Sequence, residues 1–147
     1  MLNTLGVTET DMEAPIESSM EVVRVGSTTD GTPVYMDRLA WKSDGVIVAN
    51  RIKPHTSFRG AYESGMVKMM VIGMGKQKGA EICHQLGLAG IAPRVESMSG
   101  IVLATGKVLF GVGLVENAFH DTACFAVAEP SEFFAKEKRM LAKAWDY

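Results

Sequence analysis

Cysteine is scarce in this chain. Cys83 and Cys124 are the only two in 147 residues, and neither belongs to a Cys-x-x-Cys pair. That excludes a disulfide framework, and a reducing cytoplasm is the expected compartment. A basic excess is missing as well. Fifteen Lys and Arg stand against 17 Asp and Glu, for a formal charge of −2, so no nucleic-acid partner is expected. No apolar run approaches the ~20 residues that span a bilayer. Met1-Leu-Asn-Thr-Leu-Gly6 has no basic segment followed by an apolar one, the pattern of an export leader. No membrane partner is expected either. Internal repeats and low-complexity segments are absent.

What is present is ordinary for one globular domain: 47% hydrophobic and 22% charged residues. The basic residues Arg51, Lys53, Arg59, Lys68, Lys76 and Lys78 cluster within a nearly neutral chain, which points to a small anionic ligand.

Along the chain, residues 1–17 read as a short helix and a loop, with Thr8 and Asp11 as a weak capping box. Met20–Val25 alternates and predicts a strand. Thr28-Thr-Asp30-Gly31-Thr-Pro33 is a turn with Asp-Gly at its centre, so Pro33–Met36 returns as the second strand of a hairpin. Asp37 can cap a short helix over Arg38–Ser43. Gly45–Ala49 is a short apolar run, the pattern of a strand buried on both faces in a parallel sheet, ending at Asn50. Arg51–Gly65 is polar and broken by Pro54, a loop at the carboxyl end of that strand, where ligands bind in open α/β sheets.

Met66–Ile72 is a buried helix or strand that periodicity does not resolve. Lys76–Leu86 reads as a helix with Gly87 as its C-cap. Pro93 opens another to about Thr105, stopped at Gly106. Val108–Val115 and Thr122–Ala128 read as strands. Pro130 starts an amphipathic helix to Trp145, with Phe133, Phe134, Met140 and Leu141 on its apolar side. The expected fold is α/β: a mostly parallel sheet flanked by helices, Rossmann-like. Residues 1–147 would form one such domain, or an incomplete portion of a larger one, since the chain starts as though in mid-element and ends on an uncapped helix.

Three histidines can be weighed singly. His55 is either a solvated loop residue or a general acid/base on a strand-end loop. His84 sits in a helical stretch and reads first as an ordinary partly buried residue. Cys83 and His84 point about 100° apart on a helix and would not chelate one metal together. His120 reads as a surface turn residue. Lys68 lies in the apolar segment Gly65–Ile72. It is either snorkelling from a buried helix or a desolvated amine with a lowered pKa, suited to covalent linkage. Gly73-Met-Gly75-Lys-Gln-Lys-Gly79 lacks both the Rossmann fingerprint and the P-loop Lys-Ser/Thr. Its glycines read as tight packing, with Lys76 and Lys78 available to an anion. Arg59 could pair with a carboxylate or simply be solvated.

The ordered set Asn50, Pro54-His55, Tyr62, Ser64-Gly65, Lys68 and then His84 resembles the lactate-racemase family that uses a nickel-pincer nucleotide. The resemblance implies an isomerase, a racemase or epimerase acting on a small 2-hydroxy acid. Hydrogen would leave the substrate as hydride and return to either face. It implies that Lys68 joins the cofactor covalently, with Tyr62, Ser64 and Gly65 around it. His84 would be the protein ligand to nickel, and His55 one of two acid/base histidines. The loop between His55 and Lys68 is longer than in lactate racemases by a few residues around Phe58–Ala61, so lactate need not be the substrate. The family's other histidine and its phosphate-binding segment would lie upstream of Met1, and its C-terminal domain would lie outside residues 1–147. The chain would then be the later part of the family's N-terminal domain. It would be inactive alone, without cofactor, and would need the remainder of a full-length protein. A homo-oligomer is compatible with this. Two other readings stand beside it. One is an α/β nucleotide- or anion-binding module using Lys53, Arg59, Lys76 and Lys78 without catalysis. The other is an assembly domain with an apolar face left for a partner.

Overall fold

The computed structural model describes residues 3–57, 59–85 and 87–147. Met1 and Leu2 lie outside the described residues. So do Phe58 and Leu86, where the sequence suggests a loop extension and a helix end.

Local signals act largely where the sequence places them. Thr8 caps a single turn, α1 (Glu9–Met12), accepting the Asp11 N–H at 3.2 Å. β1 (Val22–Ser27) and β2 (Pro33–Asp37) form an antiparallel hairpin. Gly31, at φ +82°, supplies the left-handed residue of its turn. Asp37 caps α2 (Arg38–Lys42) by accepting from Leu39 and Ala40 at 2.7 and 3.0 Å. It also pairs with Lys76 at 2.8 Å, so the hairpin is tied to a helix far along the chain.

The second sheet departs from expectation. β3 (Val46–Arg51), β4 (Val108–Glu116) and β5 (Thr122–Ala128) lie in the order β3-β4-β5. β3 and β4 pair in parallel, but β4 and β5 are antiparallel. The sheet is therefore mixed, not mostly parallel. The cause is the short turn between β4 and β5, closed by Asn117 N–H to Asp121 O at 2.9 Å. A connection this short can only reverse the chain, whereas a parallel return needs a crossover of a dozen residues or more. Nor is β3 buried on both faces. It is an edge strand with Val48 buried and Ile47 and Ala49 exposed. Ile47 pairs with Phe110, Val127 with Val112, and Phe125 with Leu114, making one open apolar face. Phe125 is 71% exposed there.

The opposite face carries the core. Met66–Ile72 proves helical: α3 (Met66–Lys68) passes into a wider π-helical turn over Met69–Gly73. The Met74 N–H reaches back to Met69 O at 2.9 Å. α4 spans Lys76–His84 and α5 spans Gly87–Ala104. Gly87 (φ +67°) opens α5 instead of closing α4, and Pro93 sits exposed inside α5. The apolar stripe explains this. Ile91, Val95, Met98 and Val102 are buried at helical spacing, and the stripe runs straight through Pro93. Gly106 (φ +71°) follows the helix end as expected. α6 (Phe133–Ala144) follows a 3₁₀ turn at Pro130–Glu132, with Glu129 and Glu132 forming a capping box. Among the described residues no helix is long and apolar enough to cross a membrane.

α6 and α3 lie close against β4 because two of its residues have no side chain. A Cβ on Gly111 would sit 2.6 Å from the Phe133 ring and 2.7 Å from the Met66 sulfur. Gly111→Ala is therefore expected to destabilise the fold by about 1–3 kcal/mol through overpacking. A fall in the urea midpoint at unchanged m-value is the check.

Candidate functional site

The site is built on the carboxyl end of β3. Side chains alternate along a strand, so Asn50 shares the inward face with buried Val48. Asn50 Nδ2 donates to Gly65 O at 3.0 Å, and that carbonyl also receives the Met69 N–H. One carbonyl thus joins the end of β3 to the start of α3. Between them the chain makes a loop whose ends are pinned by Lys53 N–H to Ser64 O at 3.0 Å.

A cavity of about 190 Å³ opens at this junction, lined by Asn50, Ser64, Gly65, Lys68, Met69, Ile72 and Gly73. Four of the residues singled out in the sequence, Asn50, Ser64, Gly65 and Lys68, meet here. Lys68 is half-buried, and desolvation lowers its amine below the usual lysine range. The segment is helical and its apolar residues Met66, Val67, Met70 and Val71 face the core, which leaves Lys68 on the side turned to the cavity.

His55 stands on the loop. Its backbone N–H donates to the buried Glu63 carboxylate at 2.7 Å, and its Nδ1 accepts the Ser57 N–H at 3.1 Å. Burial lowers the imidazole pKa, and the charges of Lys68, Arg59 and Lys53 lower it further against the opposing Glu63. The shift favours the neutral ring, whose proton then sits on Nε2 because Nδ1 accepts the Ser57 N–H. Glu63 is 2% exposed and also takes the Gly60 N–H at 3.2 Å, so the loop is shaped around one carboxylate. Arg59 lies over this loop. It donates to His55 O at 2.5 Å and stacks 4.1 Å from the Trp145 ring centre.

Two other residues lie away from the cavity. Tyr62 is 1% exposed, donates to Glu96 at 3.3 Å and packs edge-on against Phe134. It belongs to the core beneath the loop. His84 is exposed at the end of α4, with Nδ1 2.6 Å from Ala80 O. With the proton on Nδ1, that contact leaves Nε2 as an outward lone pair, the form a metal ligand needs. Its neighbour Cys83 is buried, and burial pushes the thiol up to about 11, so it stays protonated. Among the described residues no group of three or more His, Cys, Asp or Glu could hold a metal ion unaided. Gly75 before α4 and Gly79 within it are packing residues, since a Cβ on either would strike Val71 O.

One residue of this region escapes a reading by composition. Glu137 of α6 is 0% exposed, and its Oε2 accepts the Val67 N–H at 2.9 Å. Its Oε1 has no hydrogen-bond partner. The signal was available. Phe133, Glu137, Met140 and Leu141 fall on one helical stripe, so Glu137 is a carboxyl among core residues.

Two outcomes follow from these charges. Burial lifts Glu137 from 4.5 to about 7. Between those values the folded protein keeps a proton that the unfolded chain has lost, so stability falls as pH rises from about 4.5 to 7. The fall amounts to roughly 3 kcal/mol. Urea unfolding across that range is expected to show this slope in the native chain and not in Glu137→Gln. For His55, the NMR titration of its ring is expected below the usual 6.5. Lys68→Gln is expected to raise that midpoint by removing a positive neighbour, and an unmoved midpoint would refute the proximity of the two groups.

Comparison with solved structures places this fold beside the lactate racemase apoprotein from Thermoanaerobacterium thermosaccharolyticum, at a TM-score of 0.62 and 16% identity. The match covers 81% of this chain and 30% of that one, so the chain spans under a third of its structural neighbour. At that identity the likeness is one of fold. No curated protein matches the sequence. The family model described as the lactate racemase N-terminal domain matches residues 8–93, more than half of the chain. The chain belongs to the lactate racemase N-terminal domain family.

Proposed function

We propose that this chain is the cofactor-bearing part of a nickel-dependent racemase or epimerase of 2-hydroxy acids. The observation that carries the reading is the cavity at the end of β3, with half-buried Lys68 beside Ser64, Gly65 and Asn50. The residues suit a nickel-pincer nucleotide. Lys68 offers an amine whose lowered pKa favours the neutral nucleophile, and it stands on the wall of the cavity beside Ser64 and Gly65. His84 offers a single outward imidazole nitrogen, and one protein donor suffices when the cofactor brings its own sulfur and carbon donors. When bound, the group supplies a centre that accepts and returns hydride.

The chain's own residues then have these tasks. Lys68 holds the cofactor covalently and His84 ligates the metal. Ser64 and Gly65 contact the cofactor at the cavity wall, and Tyr62 supports them from beneath the loop. His55 is the acid/base for the substrate hydroxyl, and its Nδ1 must release the Ser57 N–H to take that proton. Arg59, held over the loop by Trp145, is the group placed to meet a substrate carboxylate. Each enantiomer must turn its C–H toward the one hydride acceptor, which puts the two hydroxyls on opposite sides, so an acid/base for the hydroxyl proton is needed on each side. Of the three histidines here, His84 is assigned to the metal and His120 is 87% exposed in the β4–β5 turn. The second acid/base group is therefore assigned to another part of a longer protein, and this chain alone is expected to be inactive.

The anion-module reading has less to support it. Lys76 is paired with Asp37 at 2.8 Å, and Lys78 lies 5.3 Å over the Tyr35 ring. The test is intact-mass and peptide mass spectrometry of the complete protein, co-expressed with cofactor-synthesis proteins. Added mass on Lys68 is expected, and none in Lys68→Ala. An unmodified Lys68 after maturation would sink the proposal.

A further inference from the structure

We propose that Glu137 is the positioning residue of the Lys68 cavity: its carboxyl replaces the missing N-cap side chain of α3 and holds the first turn of that helix in place. A helix normally begins with a Ser, Thr, Asp or Asn whose side chain accepts the N–H two or three residues on. Here the capping position is Gly65, which has no side chain to offer. The N–H two residues on belongs to Val67, and Glu137 Oε2 accepts it at 2.9 Å from across the core. The substitution is also steric. A Cβ on Gly65 would lie 2.5 Å from the Glu137 carboxyl carbon, so the two residues share one volume and only one can fill it.

Packing alone does not account for a carboxyl at this place. Residue 137 is wholly buried on the stripe of Phe133, Met140 and Leu141, where leucine or methionine would fill the space without desolvating a polar group. One oxygen accepts the Val67 N–H, the Met66 N–H also favours the charged carboxyl, and Oε1 has no hydrogen-bond partner. What the carboxyl does supply is a fixed acceptor for the N–H immediately before Lys68. α3 has only three residues before the π-helical turn, so its start depends on few bonds: those of Asn50 and the Met69 N–H to Gly65 O, and that of Glu137 to Val67 N. Loss of the Glu137 bond frays the turn, and Lys68 leaves its half-buried position.

The catalytic meaning of this cap rests on the reading of Lys68 proposed above; its effect on the lysine is measurable without cofactor. The full chain is prepared as Glu137→Ala, which removes the acceptor, and Glu137→Gln, which keeps a carbonyl oxygen of the same reach. Amide hydrogen exchange is read at Val67. Acetylation of Lys68 by an N-hydroxysuccinimide ester is followed against pH by peptide mass spectrometry. In Glu137→Ala the Val67 amide is expected to exchange about fivefold faster or more, and the Lys68 profile to move to higher pH. Glu137→Gln is expected to restore both. Unchanged Val67 exchange in folded Glu137→Ala overturns the proposal. So does faster exchange with an unmoved Lys68 profile, or failure of Gln to rescue. If the alanine variant does not fold, Glu137→Asp, which withdraws the carboxyl by one methylene, takes its place with the same readings. An unmodified Lys68 in the matured protein would defeat the racemase reading and leave these apoprotein results standing.

Discussion

Gly65 has no side chain, and the arrangement around Lys68 follows from that. Its empty side-chain volume admits the carboxyl of Glu137 from α6. Its carbonyl takes both the Asn50 amide and the Met69 N–H. Strand β3, helix α3 and helix α6 therefore meet at one backbone unit. These elements are far apart in the chain, and Glu137 lies 70 residues beyond its partner Val67. Hydrogen bonds made away from water are directional and expensive to break. A junction of several such bonds holds a lysine at the edge of a cavity more closely than apolar packing could, because methionines such as Met66, Met69 and Met70 adapt to many shapes.

The same junction sets the electrostatics. Lys68 is removed from water on one side, so its amine binds a proton less tightly. The charge it keeps acts on His55, whose imidazole is lowered by burial and then by Lys68. Glu63 opposes that effect while it fixes the loop backbone at His55 and Gly60. Two buried carboxylates thus have separate tasks. Glu63 shapes the loop that carries His55, and Glu137 accepts a backbone N–H of the helix that carries Lys68. Neither lines the cavity.

Much of the local structure was legible from residue order. The Asp-Gly turn, the Asp37 cap, the strand at Val108 and the helix after Pro130 all rest on near-neighbour rules, and near-neighbour rules act before any long-range contact forms. The candidate site was legible as a set of positions. Ser64, Gly65 and Lys68 do share a cavity at the end of a strand, where an α/β chain presents ligands. Glu137 was missed because a glutamate on a helix is normally solvated. Its burial depends on where α6 packs.

The sequence by itself determined most of the segments that extend or coil and most of the turns and caps. Those depend on backbone preference and on the spacing of apolar side chains over a few residues. Only the tertiary structure decided that β5 runs antiparallel, that β3 is an edge with one open face, and that Pro93 lies within a helix. It alone decided that Tyr62 turns into the core while Lys68 turns to the cavity. These outcomes depend on which surface each element covers. That choice is made by packing between residues tens of positions apart, as when the volume left empty at Gly65 is filled from Glu137.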